Sequence, residues 1–116
     1  DTPAAVSGKS LAPMLADVSR SVRQAAFTQF GTGYSIRTDR YRYTHWGPDG
    51  SLGAELYDHH TDSAEMVNLA THRAAAAVVK ELSALLKSRI DQASVPPKGV
   101  RQIHFENKRA VPQPNP

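Results

Sequence analysis

The sequence predicts an α+β fold: a small antiparallel sheet of three to four strands packed by one C-terminal amphipathic helix, with an extended Pro-rich tail. Three observations lead there. Residues 34–58 hold short segments in which polar and apolar side chains alternate, separated by turn residues. Residues 72–90 change to an apolar period of three and four. Beyond Pro96-Pro97 the chain becomes rich in Pro and Lys and ends Val-Pro-Gln-Pro-Asn-Pro, with one apolar patch at Ile103 and Phe105, a composition that buries little. At 116 residues there is material for one core and not for two. The expected organisation is a linker and entry segment over 1–21, a folded unit over 22–92 and an extended tail over 93–116.

Asp1 to Gly8 contains Pro3 and small residues, and reads as a linker or entry strand. Ser10 to Leu15 is apolar but interrupted by Pro13, which predicts a packed irregular turn rather than a helix. Val22 to Phe30 alternates approximately and is closed by Gly31-Thr32-Gly33, so a strand is expected. In Tyr34 to Thr38 the alternation is clean, with Tyr34 and Ile36 on one face and Ser35 and Arg37 on the other. Asp39-Arg40 is a two-residue turn candidate. Tyr41 and Tyr43 then share a face, with Arg42, Thr44 and Trp46 opposite, until Gly47-Pro48-Asp49-Gly50 breaks the strand. Ala54 to Asp58 supplies a last strand, and the four together make an antiparallel meander.

From His72 to Ile90, the residues Ala75, Val78, Val79, Leu82, Leu85, Leu86 and Ile90 form one stripe on a helix. Thr71 is the expected N-cap and Arg89 the expected cation of the last turn. One helix covers one face of a sheet. The other face is left without a partner.

Composition narrows the function classes. No apolar run approaches the roughly 20 residues that span a bilayer, so no membrane contact is expected. Cysteine is absent, which removes disulfides, thiolate nucleophiles and Cys-based zinc sites. The formal charge of +3 comes from 14 scattered Lys and Arg residues rather than a basic block, the pattern of an ordinary mixed surface and not of a nucleic-acid binder. A chain that opens on Asp1 is expected to be a processed product or an excised segment.

The candidate chemistry is sparse. His59 and His60 are adjacent, while His45, His72 and His104 lie in other elements, and no HxxxH or HExxH spacing occurs, so no metal site is expected in this chain. Tyr57 to Glu65 is acidic but lacks the Gly and the alternating ligands of a calcium loop. It reads as a turn in which Asp62 or Ser63 accepts backbone N–H groups, with Asp58 and Glu65 solvated. Ser7-Gly8-Lys9-Ser10 is neither a nucleophile elbow nor a P-loop. Tyr34, Tyr41, Tyr43 and Trp46 are better read as core than as a base-stacking platform.

One set of motifs is more specific. Gly33-Tyr-Ser-Ile-Arg-Thr, then Tyr41-Arg-Tyr-Thr-His-Trp46, Glu55-Leu-Tyr-Asp58 and Asn68-Leu-Ala70 occur in the order found in the C-terminal region of the sulfatase family. The first two blocks are particularly similar to the iduronate-2-sulfatase type and its bacterial relatives. Gly8-Lys-Ser-Leu-Ala-Pro-Met-Leu15 resembles the family's G-x-S-L-x-P-L-L segment, and Ala26 to Phe30 matches the strand after it. The resemblance runs from residue 8 to about residue 90.

This resemblance implies a sulfuric ester hydrolase of the alkaline phosphatase superfamily. Its large catalytic domain would carry a formylglycine made from C/S-x-P-x-R and a calcium ion held by Asp and Asn. This chain has no such motif, so by itself it should be inactive, with the catalytic domain or heavy chain as its partner. Residues 1–21 would enter from that domain and residues 22–92 would be the C-terminal subdomain. The substrate would be a sulfate ester, a sulfated sugar being one candidate class, and the compartment secreted, periplasmic or lysosomal. Gln29, Phe30, Thr32 and Tyr34 would border the substrate pocket. The iduronate type carries a longer basic loop before its G-Y-S-I-R-T strand, whereas here only Gly31 and Thr32 separate Phe30 from Gly33. Two other readings share these residues: a free-standing module for anionic glycans built on Arg37, Arg40 and Arg42, and a fragment of a related phosphoesterase.

Overall fold

The computed structural model describes residues 6, 8–47, 49–99 and 101. Four strands follow one another: β1 (Ala26–Phe30), β2 (Gly33–Arg37), β3 (Tyr41–Trp46) and β4 (Ala54–Asp58). They pair antiparallel in the order β1-β2-β3-β4, the meander expected from the turn spacing. A short helix, α1 (Ala12–Ala16), precedes the sheet, and a long one, α2 (Ala76–Ala93), follows it. The α+β class expected from the sequence is the class observed.

Register decides which side chains meet. Phe27 pairs with Ile36, Ile36 with Tyr43, and Tyr43 with Leu56, so one row of apolar groups crosses all four strands. Leu82 and Leu86 of α2, one turn apart, descend on that row. Ile36 and Leu56 are completely buried, and Tyr43, Leu82 and Leu86 nearly so, which makes these five the core. Val78, Val79, Ile90 and Ala75 pack around it as the periodicity predicted. Leu85 does not: it is 42% exposed, because 3.6-residue winding carries it off the buried stripe to the flank of α2.

Four local expectations are corrected. Residues 12–16 are helical despite Pro13, because Pro13 lies in the first turn, where its missing N–H would have had no partner. β1 begins at Ala26 rather than Val22. There the Ser21 hydroxyl accepts the Arg23 N–H at 3.3 Å and donates to the Arg23 carbonyl at 2.5 Å, occupying groups a ladder would need. Thr71 caps nothing: a single tight turn, Arg73–Ala75, leads into α2 and no side chain caps either segment. Backbone bonds from His72 to the Leu69 carbonyl (3.0 Å) and from Ala75 to the His72 carbonyl (2.9 Å) serve there instead. Arg89 stands a turn short of the helix end, since α2 runs on to Ala93, so the dipole role assigned to it is not the one it has. Of the tail expected over 93–116, Ala93 still belongs to α2, while residues 100 and 102–116, like Pro48, lie outside the described residues.

The two sheet edges differ. Along β4, the Asn68 side-chain oxygen accepts the Leu56 N–H at 3.0 Å, and the Leu69 N–H donates to the Leu56 carbonyl at 2.8 Å. Asn68-Leu69-Ala70 therefore closes that edge, which gives the motif a backbone role. Among the described residues nothing pairs with the outer edge of β1.

Candidate functional site

The residues expected to border a substrate sit at and around the β1–β2 turn. Gly31 takes a φ of 57°, which a glycine adopts without strain, and the hairpin closes in two residues. The Thr32 carbonyl accepts the Gly47 N–H at 2.8 Å, tying this turn to the end of β3. Gln29 and Tyr34 face each other across the hairpin, and the Gln29 amide donates to the Tyr34 hydroxyl at 3.3 Å. Phe30 points to the opposite face and is 91% exposed. The structure thus brings Gln29 and Tyr34 together, sets Thr32 at the tip and turns Phe30 away from them.

Gly33 has a further reason to be glycine. A Cβ there would lie 3.3 Å from the Trp46 Nε1 and from the Phe30 carbonyl, so the indole rests against bare backbone. Trp46, Phe30, Thr28, Ser35, Thr44 and Arg42 occupy the face away from α2. Ser35 and Thr44 share a hydrogen bond at 2.9 Å across it. No described helix covers this face.

The acidic turn is organised differently from its sequence reading. Asp62 does accept backbone donors, from Met66 at 3.0 Å and Val67 at 2.8 Å. Asp58, expected in solvent, is buried and held by Arg40 in a two-pronged bond, with Nη2 at 2.7 Å and Nε at 3.0 Å, and it also accepts the His60 N–H at 3.0 Å. The guanidinium first, and that N–H after it, hold its carboxyl down at about 2. Glu65, likewise expected in solvent, pairs with Arg42 and shares a 2.5 Å hydrogen bond with His59. Its φ of 56° makes it the one non-glycine with positive φ among the described residues. Pairing between strand ends was hidden from the sequence because Asp58 and Arg40 meet only once β3 and β4 are in register.

Of the three arginines considered for a glycan module, Arg40 and Arg42 are therefore engaged by carboxylates, and Arg37 donates to the Thr38 carbonyl. No group of three metal-ligating side chains occurs among the described residues. Of the four aromatic residues read as core, Tyr43 belongs to it and Tyr34 and Tyr41 pack against it, whereas Trp46 lies on the opposite face of the sheet.

His45 is a residue the sequence did not single out. It is 2% exposed on the α2 side of β3, with neither ring nitrogen hydrogen-bonded. Tyr34 and Tyr43 present their edges to it at centroid distances of 5.8 and 5.9 Å. Burial pushes its pKa down, with Asp49 opposing more weakly.

Two clefts flank the contact between β1 and α2. Arg89 stacks its guanidinium on the Phe27 ring at 4.8 Å, and both residues line both clefts. The smaller, about 330 Å³, includes Gln29 and Tyr34 with Ile90 and Ala93. The larger, about 560 Å³, lies between the N-terminal segment, the approach to β1 and the outer flank of α2.

No protein-family model and no curated protein matches this chain. Solved structures do. A protein from Bacteroides thetaiotaomicron VPI-5482 assigned to the sulfatases matches 80% of the chain at 29% identity and a TM-score of 0.65. BT1596, a 2-O GAG sulfatase, matches with the same identity, coverage and TM-score. BT4656, solved in complex with its substrate D-glucosamine-2-N,6-O-disulfate, matches 86% at 24% identity and a TM-score of 0.66, a likeness of fold alone. The chain spans 22% of the length of the first two proteins and 23% of the third. Its sheet and helix are therefore structurally similar to a minor portion of solved sulfatases.

Proposed function

We propose that this chain is the C-terminal portion of a sulfatase of the iduronate-2-sulfatase-like kind, completing the fold of a catalytic domain and bordering its substrate pocket. The observation that carries the reading is the 29% identity over 80% of this chain to sulfatases of which it spans only 22%. A match confined to that share of a hydrolase is what a subdomain with a structural role would give. The sequence blocks supporting the iduronate-like assignment are Gly33 to Thr38 and Tyr41 to Trp46, which form the paired central strands β2 and β3.

Formylglycine and calcium, the groups that would supply sulfate-ester cleavage and sulfate binding, belong in this reading to the catalytic domain, since this chain has neither the C/S-x-P-x-R motif nor a cluster fit for the ion among its described residues. The residues of this chain do other work. The two-residue hairpin turn holds Thr32 forward, Gln29 and Tyr34 present a fixed amide and hydroxyl, and exposed Phe30 with Trp46 offers apolar area for docking. A sulfated sugar is the substrate class that the relatives suggest.

The test is complementation. Co-expression of this chain with the catalytic portion of its own enzyme should restore hydrolysis of an arylsulfate and of sulfated sugars to a level the catalytic portion alone does not reach. Equal hydrolysis of all substrates with and without this chain would sink the pocket-bordering role.

A further inference from the structure

The larger cleft carries a charge pattern that the fold does not account for. Lys9 from the N-terminal segment, Arg23 from the approach to β1 and Arg89 from α2 all line it, with Asp39 as the lone carboxylate among its walls. Lys9, Arg23 and Arg89 are thus three cations from three separate segments, and among the described residues none of them forms an ion pair. This contrasts with Arg40 and Arg42, which are engaged by buried or half-buried carboxylates. Arg89 is held in place by the Phe27 ring beneath it and by the Gln92 side chain, which accepts from its Nη1 at 2.9 Å. Its Nε is buried with no hydrogen-bond partner. Leu85, one helical turn before Arg89, adds an apolar wall.

We propose that this cleft binds a sulfated oligosaccharide, its sulfate groups engaged by Lys9, Arg23 and Arg89. A volume of about 560 Å³ is in the range of small-ligand sites. Positive groups spread over three segments suit a ligand with several separated anionic groups better than a single phosphate or carboxylate. Planar guanidiniums at two of the three positions suit the paired oxygens of a sulfate. The inference takes its ligand class from the sulfatase reading. Its test measures binding and not hydrolysis, so the two can fail separately.

The full 116-residue chain would be titrated with a heparin-derived hexasaccharide and with its desulfated counterpart by calorimetry, at low and physiological ionic strength. K9Q/R23Q removes two exposed cations without touching the core, and K80Q/K87Q removes the same charge from positions on α2 that do not line the cleft. R89Q is the third variant, with its thermal unfolding followed to confirm the fold. The expected result is a roughly tenfold or greater loss of affinity in K9Q/R23Q and in folded R89Q, with K80Q/K87Q within about twofold of the parent. Equal losses in K9Q/R23Q and K80Q/K87Q would show only diffuse attraction and overturn the site. So would equal affinity for the desulfated sugar, displacement of the saccharide by polyglutamate of the same charge, or no binding at low ionic strength.

Discussion

His45 should make this fold sensitive to mild acid. It is 2% exposed, walled by the edges of Tyr34 and Tyr43, and it rests on Gly50, where a Cβ would come within 3.3 Å of the His45 Cβ. Neither ring nitrogen has a partner, so a proton added there would be buried without an acceptor. Desolvation therefore lowers its pKa from 6.5, and the charge of Asp49 offsets only part of that. The unfolded chain binds this proton as pH falls below 6.5, while the folded chain does so only at lower pH. Stability is thus fully present above 6.5 and declines as the solution is acidified, levelling off below the folded pKa. One proton sets a limiting slope of about 1.4 kcal/mol per pH unit. Urea unfolding followed by circular dichroism between about pH 7.5 and pH 5 measures it, because the midpoint falls with stability at constant m. The comparison is H45F, which keeps an aromatic ring between the tyrosines and removes the nitrogens. Phenylalanine also presses harder on Gly50, so the slope and not the absolute midpoint is decisive. The variant should lose the decline that sets in below pH 6.5; parallel profiles for the two proteins would refute this account of His45.

Two further outcomes follow from the core and the strand-end ion pair. L86A should cost about 2–5 kcal/mol, since Leu86 is 2% exposed among Ile36, Tyr43 and Leu56, whereas L85A should cost under about 1 kcal/mol. Thermal unfolding of both separates them, and equal shifts would mean that α2 seats on the sheet by another face. Asp58 titrates at about 2 in the fold against 3.8 ordinarily, so its contribution is present above 3.8 and lost as pH falls from there towards 2. Acid unfolding of D58N should be flatter over that window, and a profile identical to the parent's would show that the Arg40 pairing stabilises nothing.

Particular residues show what kind of information each level holds. The alternation in Tyr34 to Arg37 and Tyr41 to Trp46 fixes which side chains share a face, because successive strand residues point to opposite sides whatever the surroundings. The same logic places Leu82 and Leu86 on one stripe of α2, and the order of the motifs by itself points to sulfatases. Turn residues between the strands announced a meander, since short connections, here residues 31–32, 38–40 and 47–53, join neighbouring strands antiparallel. Local pattern was a weaker guide at the ends of elements. Pro13 sits in the first turn of α1 rather than breaking a helix, and a backbone turn stands where Thr71 was expected to cap.

The candidate site was less legible than the fold. Gln29 and Tyr34 belong to a motif, yet their hydrogen bond depends on hairpin register. Asp58 and Glu65 read as solvated acids, because nothing along the chain shows that Arg40 and Arg42 will lie against them. Lys9, Arg23 and Arg89 are separated by many residues and meet at one cleft only when α2 folds back over β1. By itself, then, the sequence determined the fold class, the order of the strands, the apolar faces and the family resemblance, all of which rest on short-range periodicity and contiguous motifs. Tertiary structure alone decided which charges are neutralised, which histidine is buried without a partner and which cations are left facing a cleft, because those outcomes depend on contacts between distant segments and on the water that packing excludes.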